Sequence, residues 1–284
     1  MKILVTGGVG FIGSNLIKHL VSDGHIVHSL DNYSTGSLSN EVAGCKYFNC
    51  ELVDIGTSMD RDFDVIFHIA ALARIQPSFL RPSDTFRSNV VGTEAVLEFA
   101  RMIGAKVIYS GSSSRWHDPT RSPYAMSKYL GEKLCKMYRK SFGLEIQIAR
   151  FYNVYGPNEI TDGDYATVIG VWRRQIRRGE PITIIGDGEQ RRDFTHINDI
   201  VDGLIKIMDA DVYHMDAWEL GTGVNYSINE LYQMFLGRFG SQCSFVNLPD
   251  LPGNYKTTLR EHDDAINTLM WEPTDQLNKY VNGL

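Results

Sequence analysis

The chain has 284 residues, 43% of them hydrophobic and 22% charged, the composition of an ordinary globular protein long enough to bury a sizeable core. Its 28 basic and 34 acidic residues leave a net charge of −6 with no basic run, which argues against nucleic acid as a partner. The N-terminus moves straight into a short apolar run and glycines, and no later run approaches a membrane span, so a cytoplasmic protein with no membrane association is expected. Four cysteines and eight histidines lie scattered without ligand spacing, so reduced thiols and no metal site are expected.

Ile3-Leu4-Val5 is too short for a helix and ends at Thr6-Gly7-Gly8-Val9-Gly10-Phe11-Ile12-Gly13, after which helical spacing begins. Such a strand, glycine turn and helix let backbone N–H groups approach a pyrophosphate at the positive helix end. A second strand, His25 to Leu30, ends at Asp31, whose carboxylate can accept from both hydroxyls of an adenosine ribose and would repel a 2′-phosphate. NAD is therefore favoured over NADP.

Further apolar runs fall at Tyr47-Phe48, Val65 to Ala70, Val107-Ile108-Tyr109 and Ile146 to Ala149, separated by helical periodicity. That alternation predicts an α/β fold, a Rossmann-type doubly wound parallel sheet, with ligands at the carboxyl ends of the strands. Candidates there are Gly7 to Gly13, Asp31, the run Ala70-Ala71-Leu72-Ala73, Ser110 to Ser114 and Phe151-Tyr152-Asn153. Phe86, Val90 and Leu97 offer an apolar face for a second subunit or for the monomer's own core. Ser122 to Glu132 reads as helix and sets Tyr124 and Lys128 at i and i+4, on one face. An ammonium beside a phenol would lower the phenol's pKa, which makes Tyr124 a candidate base and Lys128 its tuner. After Gly156-Pro157 turns become frequent, and Arg192 is the cation best placed for a diphosphate.

Taken together these segments resemble the extended short-chain dehydrogenase/reductases, and among them the nucleotide-sugar epimerases and dehydratases. The resemblance runs through the glycine turn, Asp31-Asn32-Tyr33, His68-Ile69-Ala70-Ala71, Asn89-Val90-Val91-Gly92-Thr93, Tyr124 with Lys128, Arg150 to Pro157, Gly186 to Phe194 and Leu220 to Gly223. It implies a dinucleotide-binding domain, 1–155 and 193–219, and a smaller α/β nucleotide-sugar-binding domain, 156–192 and 220–284. It also implies NAD held by Gly7, Gly10, Phe11, Ile12, Gly13, Asp31, Asn32, Ala70, Ala71, Ala73 and Asn89, with Glu51 where an adenine-contacting Asp is usual. Tyr124 would be the base, Lys128 would hold the nicotinamide ribose, and Ser112 would bond the reacting sugar hydroxyl. Asn153 and Arg192 would hold the nucleotide diphosphate, and Thr258, at the position gating the C2 substituent, would admit N-acetylated sugars. A homodimer follows by the same analogy.

The chemistry implied is oxidation of the sugar at C4 to a ketone, followed by one of several fates. Dehydratases of this family carry an Asp-Glu pair after the catalytic Ser or Thr, and decarboxylases a Glu two residues after it; here stand Ser113 and Ser114. Return of the hydride to the other face, a 4-epimerisation of a UDP-hexose or UDP-N-acetylhexosamine, is the reading favoured over a 4,6-dehydratase or a UDP-glucuronate decarboxylase. A non-catalytic NAD-binding sensor is the alternative of another class. Three departures from the family pattern stand out: Arg115-Trp116-His117 after the serines, only eleven residues between Ser112 and Tyr124, and Leu251-Pro252-Gly253 without the usual arginine.

Overall fold

The computed structural model describes all 284 residues. Strands β1 (Lys2–Thr6), β2 (Ile26–Asp31), β3 (Cys45–Asn49), β4 (Val65–His68), β5 (Lys106–Ser112) and β6 (Ile146–Phe151) follow the six apolar runs of the sequence. Each is β-branched or aromatic-rich, and β1, β4 and β6 are buried along nearly their whole length because helices cover both faces. A short seventh strand of this sheet, Trp218–Leu220, escapes a sequence reading because three residues carry no periodicity.

With β7 (Ile182–Ile185), β8 (Arg191–Asp193), β9 (Trp218–Leu220), β10 (Asn225–Ser227) and β11 (Phe245–Leu248), three sheets form. The main sheet is wholly parallel in the order β3-β2-β1-β4-β5-β6-β9, and the pairs β8·β10 and β7·β11 stand apart in a smaller lobe. From β1 the chain winds outward one way through β2 and β3, then returns to β4 on the other side. The carboxyl ends of β1 and β4 thus flank a topological switch point, where an open sheet forms a crevice.

Alternate residues of β1 face opposite layers: Ile3 and Val5 pack with Leu16, Leu204 and Trp271, whereas Leu4 packs with Ile66, Leu97 and Tyr109. Leu97 is therefore core and offers nothing to a second subunit. A third cluster, including Trp172, Ile184 and Phe235, centres the smaller lobe. Helix Asp264–Leu269, placed by sequence with that lobe, instead packs through Ala265 and Leu269, with Trp271 just after it, against the main sheet's layer. Leu220 likewise pairs with Phe151 of β6, inside the main sheet. No helix is long and apolar enough to cross a membrane.

Helix Pro123–Phe142 carries the Tyr124 motif and has clear local causes. The Ser122 side chain caps it by accepting from Ala125 N–H at 3.1 Å, Pro123 opens it with a preset φ, and Gly143 closes it at φ 68°.

Candidate active site

A cleft of about 880 Å³ opens at the switch point, running from Asp31 and Glu51 at one end to Tyr255 and Arg192 at the other. At the first end the backbone of the glycine turn is exposed to it. Gly7 takes φ 77°, and a Cβ there would come within 2.8 Å of the Ala70 backbone; one on Gly13 would meet the Gly7 carbonyl oxygen at 2.1 Å. Helix Phe11–Ser22 has no side-chain N-cap and no acidic residue in its first turn, so its leading N–H groups are left for an anion. The Asp31 carboxylate is oriented by the N–H groups of Val9 at 3.1 Å and Tyr33 at 2.8 Å. Asn32 Nδ2 donates to Glu51 Oε1 at 3.0 Å, so these two predicted neighbours do meet. Bare glycines and an uncapped helix supply the N–H donors, and a ribose-height carboxylate the acceptor, that a dinucleotide diphosphate and adenosine need.

At the middle of the cleft the Tyr124 hydroxyl stands 3.3 Å from Ser112 Oγ, bringing together the last residue of β5 and the first turn of its following helix. The Ser112 Oγ also accepts from Ser114 N–H at 3.2 Å, which sets its direction. Lys128 lines the same cleft from the same helix, and β5 engages its ammonium. Its Nζ donates to the Ser110 carbonyl at 2.7 Å, and burial lowers its pKa to about 8. Burial raises the Tyr124 phenol above its ordinary value, against the Ser112 hydrogen bond and the positive charge of Arg74, which pull it down. The Lys128 ammonium is bonded to β5, and the guanidinium of Arg74, from another segment, favours the ionised phenol.

Asn89 is a second correction. It is buried and does not line the cleft. Its Oδ1 accepts from Leu72 N–H at 2.8 Å, and its Nδ2 donates to the Leu72 carbonyl at 3.1 Å and to Ser127 Oγ at 2.9 Å. A π-turn over Arg87–Val91 rotates it inward, so it braces the loop after β4 from behind. The other predicted residues, Ala70, Ala71 and Ala73 among them, do line the cleft.

At the far end Asn153, Thr258 and Arg192 converge. Asn153 Nδ2 donates to Thr258 Oγ1 at 2.9 Å and to the Asp193 carbonyl at 3.0 Å, so a diphosphate contact from this amide would require the Thr258 bond to yield. Arg192 has no carboxylate partner; it donates to its neighbour's carbonyl at 2.8 Å, and burial lowers its pKa to about 10. Tyr255 lines the same wall and stacks on His117 at 3.9 Å between centroids. Arg74 and Tyr255 were not identifiable by motif; the signal for Arg74 is only its place four residues after Ala70 in a loop that ends a core strand.

The short stretch from Ser112 to Tyr124 folds as two 3₁₀ turns, Ser113–Trp116 and Pro119–Arg121. Trp116 ends the first of them, its indole lying 5.4 Å from the buried Arg150 guanidinium. Arg150 is in turn held bidentately by Glu132 at 3.0 and 2.8 Å.

Residues 3–221 match the NAD dependent epimerase/dehydratase family. The chain is 31% identical over 304 residues to UDP-glucuronic acid decarboxylase 1 of Xenopus tropicalis, covering 99% of this chain and 70% of the relative. It is also 31% identical to UDP-glucose 4-epimerase of Mycolicibacterium smegmatis (strain ATCC 700084 / mc(2)155), covering 96% and 94%. Its fold is similar to that of UDP-glucuronic acid 4-epimerase from Bacillus cereus, a crystal structure in complex with UDP-glucuronic acid and NAD, with TM-score 0.90, 27% identity and coverage of 99% and 96%. A parallel sheet with a glycine-lined switch point, and family identity across three quarters of the length, lead to one statement: the chain belongs to the NAD dependent epimerase/dehydratase family, with NAD as its cofactor.

Proposed function

We propose that the protein is a nucleotide-sugar 4-epimerase acting on a UDP-linked hexose, N-acetylated forms included. The observation that carries this reading is the Tyr124–Ser112 pair in a cleft whose sugar end holds no additional acid or base. The carboxylates lining the cleft are Asp31 and Glu51 at the adenosine end and the exposed Asp84 and Asp164 at the rim, the last paired with Arg81 at 3.2 Å. Ser113 and Ser114, which follow Ser112, do not ionise at neutral pH. Elimination of water or protonation of a decarboxylated carbon needs such a group; returning a hydride to the opposite face does not.

In this reading Tyr124 takes the proton from the sugar C4 hydroxyl, and Ser112, already within hydrogen-bond distance of the phenol, holds that hydroxyl in line. NAD, when bound, supplies a reversible acceptor for the hydride on the same carbon. Lys128, anchored on Ser110, presents its remaining donors to the cofactor's ribose side of the cleft. Arg192 meets the nucleotide diphosphate with a charge that nothing in the protein neutralises. Incubation with UDP-glucose, UDP-N-acetylglucosamine, UDP-glucuronate and their C4 epimers, followed by proton NMR, tests the reading. Interconversion within at least one pair is expected, and none in any pair would sink it.

A further inference from the structure

Three guanidiniums line the cleft without a carboxylate partner, Arg74, Arg87 and Arg192; Arg87 is solvent-exposed, and of the two half-buried ones only Arg192 has a role so far. Arg74 ends the loop after β4 and immediately precedes helix Ile75–Leu80. Its Nε donates to the Tyr165 carbonyl at 3.0 Å, which leaves both terminal nitrogens free. Nearby acids are committed elsewhere: Glu159 pairs with Arg173 at 3.2 Å, and Asp164 with Arg81 at 3.2 Å. A positive charge crowded by protein and lacking a counter-charge is costly unless a bound anion completes it.

The position of Arg74 limits which anion that is. Ser78 Oγ donates to the Ile75 carbonyl at 2.6 Å and accepts from Tyr124 N–H at 3.1 Å, so the start of the Arg74 helix is tied to the start of the Tyr124 helix. The Arg74 and Tyr124 charges act on each other. Arg192 belongs to the opposite wall, beside Tyr255. The dinucleotide's diphosphate has the glycine turn and the nucleotide sugar's has Arg192, which leaves Arg74, beside Tyr124, as the half-buried guanidinium available to the reacting sugar.

We propose that Arg74 binds a carboxylate carried by the sugar, so that the preferred substrate is a UDP-linked acidic hexose such as a uronic acid. This deepens the 4-epimerase reading and rests on it. A planar guanidinium with two free terminal nitrogens matches a carboxylate bidentately, and a neutral hydroxymethyl group would leave the charge unpaired. The same unpaired charge would weigh against neutral hexoses and so supply discrimination by exclusion.

The test uses the NAD-loaded protein, with kcat/KM by NMR and Kd by calorimetry for UDP-glucuronate and UDP-glucose. The wild type should prefer the acidic sugar at least about tenfold, the size of one charge-assisted contact. Arg74→Met should bring the ratio of the two kcat/KM values to near one, and Arg74→Lys should restore part of it. Taking the ratio removes any effect Arg74 has through Tyr124, which touches both sugars alike. Equal use of the neutral sugar by the wild type, or a ratio unmoved in Arg74→Met, would overturn the proposal. So would an Arg74→Met protein that loses affinity for UDP alone or for NAD, since the guanidinium would then serve a diphosphate. If binding shows the preference but no C4 epimer forms from any sugar, the epimerase reading falls and the carboxylate site stands.

Discussion

The Trp116 indole N–H donates to Glu219 Oε1 at 2.7 Å, joining the shortened loop after the serines to the last strand of the main sheet. Glu219 is buried and accepts as well from the Tyr152 hydroxyl at 2.9 Å and from the N–H groups of Glu261 at 2.7 Å and His262 at 3.2 Å. One carboxylate thus gathers the short loop, the residue after β6 and the segment at Glu261-His262. Trp116→Phe keeps the ring but loses the donor, and should cost about 1 kcal/mol, a Tm lower by about 2–4 °C in thermal unfolding. Arg150→Met, which strands Glu132 in the core, should cost about 3–5 kcal/mol by the same measurement.

Tyr124→Phe removes the proposed base and leaves the cofactor end untouched. Turnover should fall about 10²–10⁴-fold while NAD still co-purifies at the wild-type ratio. A protein that keeps full turnover has no use for the phenol, and a protein that loses NAD as well has lost the fold of the cleft.

Lys128 is buried with its pKa lowered to about 8, so its charged form is disfavoured in the folded protein relative to the unfolded chain. The destabilisation is full below the folded value and fades as pH rises from about 8 toward the ordinary lysine range, because there only the unfolded state keeps the proton. Lys128→Met should therefore be inactive yet more stable than the parent at pH 7, by roughly 1–2 kcal/mol after loss of the Ser110 hydrogen bond. Urea unfolding at pH 7 and pH 10 should show that advantage shrinking at the higher pH.

Asp193 lies fully buried at the junction of the smaller lobe and the main sheet. It accepts from Thr222 N–H at 2.9 Å and Oγ1 at 2.8 Å, from Gly223 N–H at 3.0 Å and from Arg260 N–H at 3.1 Å. Asp193→Ala leaves three backbone donors without a partner and should cost at least about 3 kcal/mol in chemical denaturation. Because the Asp193 carbonyl also holds Asn153, affinity for UDP should fall in parallel.

Asp31→Ser shortens the side chain at the ribose end and removes its charge. Affinity for NAD should drop about tenfold or more, and NADP, repelled by the carboxylate in the wild type, should now bind measurably by fluorescence titration.

Much of the molecule could be read without coordinates, and the reason is range. The turn at Gly7 to Gly13, the acid closing β2, the capped helix from Pro123 and the alternation of strands with helices are written in residues a few positions apart, and local sterics and hydrogen bonding translate them directly. Spacing also put Tyr124 and Lys128 on one helix face. It could not show that Lys128 is claimed by the Ser110 carbonyl eighteen residues away, since any ammonium takes the nearest strong acceptor the fold provides. Asn89 turned inward for the same kind of reason: Leu72 and Ser127, from two other segments, satisfy its amide completely. The unpaired Arg74 and the Trp116–Glu219 bond exist only as relations between distant parts of the chain. Local chemistry determined which elements form and where an anion can bind, and tertiary packing alone decided which polar groups were left free to meet a substrate, because a buried side chain is available for chemistry only when no protein partner has already saturated it.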